Sequence, residues 1–304
     1  MQVCRCQENN NEKKKKAGEI KKERKNKRYK IYIYIHIMTL QMAPWVPLFT
    51  QSCKNNITHD QPFTPFQFAT VDTPKHEPPR PRVRTVVYRG FLFDDRRNNV
   101  LVFHTDLRSS KLKTESRLFE CCFNFSNTWE QFRFDGEWFV ISRNGFGGDD
   151  RDKLIAKYSV FISDRDRHKP VETRADDDTR EAFRPVQAQD WQEEVLRQWN
   201  SLSRTAKALY KKPTPGSPLT EETSRQLDKL QRGVDGGKED AGLENFGIVC
   251  LCVQRVDYLN LKGGHSGGSE RCIFERRVAD ASGTRKAGAD AEDSAVWEET
   301  TVCP

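Results

Sequence analysis

The sequence predicts a mainly β (α+β) fold with flanking helices, and three observations carry the prediction. Runs rich in β-branched and aromatic residues recur along the chain and are closed by Pro, Gly, Asn or Asp. Several end in hydrogen-bonding or cationic side chains, as in Arg84-Thr-Val-Val-Tyr-Arg89 and Phe103-His-Thr-Asp-Leu-Arg-Ser-Ser-Lys111, so a sheet would present donors at the strand ends. One long stretch, Trp191 to Tyr210, instead carries apolar residues at helical spacing.

In chain order, Pro44 to Asn55 reads as a short helix with Pro47 in its first turn and Trp45, Leu48, Phe49 and Cys53 on one face. Residues 55–65 and 73–81 are polar, Pro-rich loops, and strands follow at about 66–72, 82–92, 99–104, 118–125 and 130–142. From Asn144 to Arg184 little can be buried, and Leu154–Ile162 is the one candidate strand there. Asp190 is the expected N-cap of the helix over 191–210, with Glu193 its capping-box partner, and Lys211-Lys-Pro-Thr-Pro-Gly-Ser-Pro218 ends it. The segment onward to Ala241 is rich in Gly, Asp and Lys and is expected to be mobile. The last strands are expected at about 246–253, 255–261 and 270–278, before a terminal strand around Trp297. These elements make one domain over 43–304, with polar insertions near 144–188, 213–243 and 279–294.

Of the 304 residues 31% are charged, and the mean hydropathy is −0.82, so much of the chain is solvated. The net charge of +7 suggests nucleic acid until it is divided. Residues 1–37 hold 12 Lys/Arg against 4 Asp/Glu, leaving 39 against 40 in the remainder, a net of −1. The body thus has no global field for polyanions. The first 42 residues read as a basic disordered leader or a misplaced start, since Ile31-Tyr-Ile-Tyr-Ile-His-Ile37 looks like a translated dinucleotide repeat; a nuclear-localisation or RNA-binding arm is the alternative. No run approaches the ~20 apolar residues of a membrane helix, and a soluble, cytoplasmic protein is expected, nuclear only if the leader is real. The nine cysteines, Cys4, Cys6, Cys53, Cys121, Cys122, Cys250, Cys252, Cys272 and Cys303, show neither Cys-x-x-Cys nor His at zinc spacing, so buried reduced thiols are expected and no metal site.

Neighbouring strands at 82–92 and 99–104 would bring two cationic clusters together at one sheet end. A dianionic phosphate on a flat ligand needs such fixed donors: Arg as a fork, Lys as a point charge, Ser or Thr as neutral donors. Arg84, Ser109, Ser110 and Lys111 offer that set, with Arg108 able to add charge. The pattern points to a flavin nucleotide.

Together with Glu130-Gln-Phe-Arg-Phe-Asp-Gly136, Phe246-Gly-Ile-Val-Cys-Leu-Cys-Val253, Glu270-Arg-Cys-Ile-Phe-Glu-Arg276 and Trp297…Pro304, these blocks resemble, in order and spacing, the pyridoxamine 5'-phosphate oxidase-like family. Trp199-Asn-Ser-Leu-Ser…Tyr210…Pro213-Thr-Pro-Gly216 is similar to its branch of uncharacterised oxidase-like proteins. The resemblance implies an FMN-binding split β-barrel, antiparallel and Greek-key-like, working as a homodimer with FMN across the subunit interface. It implies phosphate contacts from Arg84, Ser109 and Lys111, with Ser110 where relatives often have Arg. Thr85, Val86 and Val87 fall in the cofactor-binding strand motif, the two valines as backbone contacts, and Arg89 stands where relatives have Lys. His104 and Thr105 would lie beside the ring or ribityl chain, Gln131 at the ring edge, and Arg271 as a late FMN contact. The residues alone also allow Arg84 and Arg89 as exposed strand cations, His104 as a half-buried strand residue and Gln131 as a cross-strand partner. The relatives' substrate motifs, Arg-Pro-x-x-Ser and Arg-x-His, are missing: only Arg184-Pro185 is present, Gly-Ser-Glu precedes Arg271, and Leu259 replaces a flavin-contacting Trp. The function implied is two-electron redox chemistry on an unknown small molecule, or non-enzymatic FMN binding.

Overall fold

The strands that the sequence marks pair into one antiparallel sheet because almost every one of them buries apolar side chains on at least one face. The computed structural model describes residues 42–73, 78–145, 149–163, 183–231, 240–263, 268–278 and 295–304. The leader and the 279–294 insertion thus lie outside the described residues, as does His265. Met42–Ile162, Pro185–Arg277 and Trp297–Pro304 form one compact unit; the other, Met1–Gln41, Ser163–Arg184 and Val278–Val296, falls almost wholly on residues not described.

Helix α1 (Trp45–Asn56) precedes strands β1 (Pro65–Asp72), β2 (Arg80–Phe91), β3 (Val100–Asp106), β4 (Leu118–Phe125) and β5 (Glu130–Ser142). Helix α2 (Asp149–Lys157), short strands β6 (Phe161–Ser163) and β7 (Phe183–Pro185), and helices α3 (Ala188–Asn200), α4 (Arg204–Ala208) and α5 (Glu221–Gln231) follow. Strands β8 (Phe246–Asn260), β9 (Glu270–Val278) and β10 (Ala295–Val302) complete the order. The sheet runs β10-β9-β8-β3-β2-β1-β4-β5, and β5 pairs back onto β8. Six strands therefore close into the split barrel that the sequence predicts, with β9 and β10 as an extension.

Closure explains the sequence pattern of β3 and β8. Leu101 and Phe103 of β3 and Val249, Leu251 and Val253 of β8 face the barrel interior, packed with Trp45 and Phe49 of α1. The alternate residues, Val100, Val102, Ile248 and Cys250, pack under Trp191, Val195 and Trp199 of α3. Both faces are buried, so these strands read as unbroken apolar runs. Phe49 meets Phe123 and Phe134 edge-on at 4.9 and 5.1 Å, and burying such a ring contributes about 1.5–3 kcal/mol.

Five expectations need correction. Leu48 points to solvent, and Val46 and Ser52 complete the buried face of α1. The stretch 154–162 is strand only at its end, Phe161–Ser163; 154–157 closes a helix, where Leu154 and Tyr158, four apart, are both buried. The helix of 191–210 breaks after Asn200, because the Ser203 hydroxyl accepts from Ala206 N–H and caps a new helix. Its first cap is also displaced: Asp190 reaches back to the Gln187 N–H at 2.8 Å instead of opening the helix itself. Finally, β8 is one strand where two were expected. Asp135 opposes Arg255 and Gly136 opposes Val253, so Gln254 is the extra residue of a bulge and the pairing continues past it.

The insertions also contain helices, α2 within 144–188 and α5 within 213–243. The latter opens at Thr220, whose hydroxyl accepts from the Thr223 N–H. Among the described residues no helix is long and apolar enough to cross a membrane. Of the described cysteines, Cys53, Cys121, Cys250, Cys252 and Cys272 are buried, whereas Cys122 is half-buried and Cys303 exposed; burial pushes the Cys53 thiol up to about 12.

Candidate functional site

The end of β3 and the turn after it gather most of the residues singled out in the sequence. Lys111 Nζ donates to Thr105 Oγ1 at 2.9 Å and to Ser109 Oγ at 2.8 Å. Arg84 on β2 donates to Thr70 Oγ1 at 2.9 Å and lies over the Phe68 ring. Burial first, and the neighbouring Arg84 second, hold the Lys111 ammonium below the usual lysine range, with Asp106 offsetting part. Arg84 is lowered likewise, by burial and then by Arg82, against an opposing pull from Asp72. The charge of Asp106 is committed elsewhere: Arg108 Nε and Nη2 grip its two oxygens at 3.0 and 2.7 Å. Arg108 is thus engaged by Asp106 and not turned toward the Lys111 cluster. No ion pair engages Arg84 or Lys111 among the described residues, and two half-buried cations, each lowered by burial and by a neighbouring cation, suit an anion.

A cavity of about 480 Å³ opens beside this cluster, lined by His104, Thr105 and Lys111 and walled by Tyr210 and the Pro213–Leu219 segment. From sequence, that segment and Tyr210 read as a helix end and as part of the branch resemblance, not as a cavity wall. Ser110 begins a short turn and is exposed. On β2, Thr85 and Arg89 are exposed and Val86 and Val87 half-buried, and the Arg89 charge is felt by both His104 and Tyr210.

His104 is held from outside the strand. Its Nε2 is 2.7 Å from Gln198 Oε1, and Gln198 Nε2 donates to Glu194 Oε1 at 3.0 Å. With the amide so oriented, His104 Nε2 carries the hydrogen and Nδ1, buried without a partner, is left as an acceptor. Burial drives its pKa down to about 4, Gln198 opposing. A neutral imidazole of this kind orients a ligand better than it relays protons at neutral pH. The missed signal was a polar pair, Glu194 and Gln198, set into the apolar stripe of α3. Stability should respond to pH accordingly. Below 6.5 the unfolded chain takes up a proton that the native imidazole refuses until about 4, so stability falls as pH drops through that window, and His104 adds no slope above it. Urea denaturation at pH 7 and 5 should show a larger loss for the parent than for His104→Gln; equal losses would contradict the assignment.

Gln131 and Arg271 stand apart from this cluster. They share one row across three strands, Gln131 opposite Leu259 and Leu259 opposite Arg271. His104 is opposite Ile248 on the same β8, eleven residues away, but the closed barrel also joins the two through β2, β1 and β4, where Val87 pairs with Pro65 and Asn124 with Gln131, about four strand spacings or ~19 Å. Within one chain the structure does not bring the two groups together.

The family model for the pyridoxamine 5'-phosphate oxidase FMN-binding domain matches residues 42–142. An uncharacterised protein of Saccharomyces cerevisiae, YGR017W, is 44% identical over 320 aligned residues, covering 88% of this chain and all of that protein. A protein of Arabidopsis thaliana named pyridoxine/pyridoxamine 5'-phosphate oxidase 2 is 28% identical, over 79% of this chain and 99% of its own. A solved structure from Nostoc punctiforme, titled a pyridoxamine 5'-phosphate oxidase-related, FMN-binding protein, shares the fold with a TM-score of 0.55 and 24% identity, covering 87% of this chain and 100% of that one. The chain belongs to the pyridoxamine 5'-phosphate oxidase-like family and carries its FMN-binding domain.

Proposed function

We propose that this chain is a flavoprotein carrying out two-electron redox chemistry on a small molecule, as a homodimer. The observation that carries the reading is the Arg84–Lys111 pair, two half-buried cations without a carboxylate partner among the described residues. In this reading they neutralise the FMN phosphate. Ser109 and Thr105 both accept from Lys111; the Thr105 hydroxyl donates to the Asp106 carbonyl at 3.3 Å, while Ser109 keeps its hydroxyl hydrogen to donate to the phosphate. Thr85 and the Val86 and Val87 backbone contact the cofactor from β2, near Arg89, and Ser110 adds a hydroxyl at the turn. His104 presents a fixed acceptor to the ribityl chain or ring. When bound, FMN supplies the hydride chemistry, and the protein supplies orientation and electrostatics.

In this reading Gln131 and Arg271, which make no hydrogen bond to the Arg84–Lys111 cluster among the described residues, reach the ring edge from the second copy, as the family resemblance implies. The substrate is not the vitamin phosphate in this reading. Arg184 and Pro185 sit in β7, outside the helix that the missing motif would need.

The test is direct. The purified full chain should be yellow and release FMN, not FAD, on denaturation. A colourless preparation that also fails to quench the fluorescence of added FMN would overturn the proposal.

A further inference from the structure

Asp257 is an acid set in an otherwise apolar stretch of β8, with its side chain only 2% exposed. It faces Arg133 of β5 directly in register. Two guanidiniums close on it. Arg271 Nε and Nη2 donate to Oδ1 and Oδ2 at 2.9 and 2.8 Å, and Arg133 Nη2 donates to Oδ2 from the other strand. Both arginines keep part of their surface in solvent, 40% for Arg133 and 33% for Arg271. Glu120 stands 4.0 Å from Arg133 and is largely exposed; among the described residues Arg271 is ion-paired with Asp257 alone. The Arg271 hydrogen bonds, then burial opposing, then Arg133 hold the Asp257 carboxyl below the usual carboxylate range, which keeps it ionised.

The arrangement fixes direction as well as charge. Arg271 spends Nε and Nη2 on Asp257, so its Nη1 hydrogens and one on Nη2 are turned away from the carboxylate. The Arg271 backbone stands in register with Leu259 and, through it, with Gln131. We propose that Asp257 is a positioning residue that aims the outer edge of Arg271, with Arg133 as its second clamp, at the polar edge of the flavin held by the partner copy. This rests on the reading above that Gln131 and Arg271 meet FMN. A buried carboxylate between two arginines is a costly device for stability alone, since such clusters gain little over apolar packing. Its value here is a guanidinium whose angle is set before the ligand arrives.

The test is a double-mutant cycle on the full chain, reading FMN affinity by fluorescence quenching and the absorption spectrum of bound flavin. Arg271→Gln should weaken binding about tenfold, the loss of one charge-assisted contact. Asp257→Asn should lose a similar factor and shift the spectrum the same way. The double variant should be no weaker than Arg271→Gln alone, because Asp257 acts through Arg271. Additive losses, or parent-like affinity and spectrum in Asp257→Asn, would overturn the proposal. If Asp257→Asn does not fold, Asp257→Glu keeps the charge but moves the clamp by one methylene, and it should still weaken binding and shift the spectrum; parent-like values there would also overturn it. A parent protein that binds no FMN would fail the reading of the site itself, and this proposal with it.

Discussion

Replacing Lys111 with alanine is expected to weaken FMN binding ten- to more than a hundredfold, and Arg84→Ala should do the same. Each change strips one charge-assisted contact from a partly desolvated phosphate, about 1.5–3 kcal/mol. Lys111 is the cleaner probe, because Arg84 also bonds Thr70 and covers Phe68. Arg108→Ala is the control: its fork is occupied by Asp106, so affinity should change little. Titration calorimetry with FMN on the three variants decides the matter. Unchanged affinity in both Lys111→Ala and Arg84→Ala would mean that the phosphate is held elsewhere.

Gly136→Ala should be the most damaging small substitution in the barrel. Gly136 has φ +158, and an added Cβ would stand 2.1 Å from the Cys252 carbonyl oxygen and 3.0 Å from the Gln254 nitrogen. Both obstacles are backbone of β8 at its bulge, so no rotamer change relieves them. A loss of about 4 kcal/mol or more is expected, which lowers the melting temperature by roughly 10 °C. Gly90, at φ +100 with nothing near its added Cβ, isolates the conformational cost, about 1–3 kcal/mol. Thermal melts showing Gly136→Ala no worse than Gly90→Ala would refute the steric account.

Much of this was legible because strand and ligand signals are local. β2, β3 and β5 announce themselves by β-branched and aromatic residues, and the Arg84, Ser109 and Lys111 set lies on adjoining elements. What the sequence hid depended on partners far along the chain. β8 looked like two strands because Gln254-Arg255 interrupts its apolar run, and only the pairing with β5 turns that interruption into a bulge. The α3–α4 break looked continuous because the apolar period runs across Ser203. Arg108 looked free because nothing in a string of letters shows that its fork folds back onto Asp106. Gln198 and Glu194 were masked by the stripe around them, although a polar pair at buried helical spacing is a readable cue in retrospect. The placement of His104 relative to Gln131 could not be read at all, since it is set by the strand order and register around the closed barrel.

The pairing of β8 with both β3 and β5 also dictates how the chain emerges during synthesis. The segment from β1 to β5 is complete at Ser142, but the staves that flank the gap stay open until Phe246 and the residues after it leave the ribosome. At about 5–20 residues per second, the intervening hundred-odd residues take roughly 5–20 s. Throughout that interval β3 and β5 offer unpaired edges and Phe103, Phe132 and Phe134 lack their covering strand. A fragment ending before β8 is therefore expected to expose the edges of β3 and β5 and to be prone to aggregation.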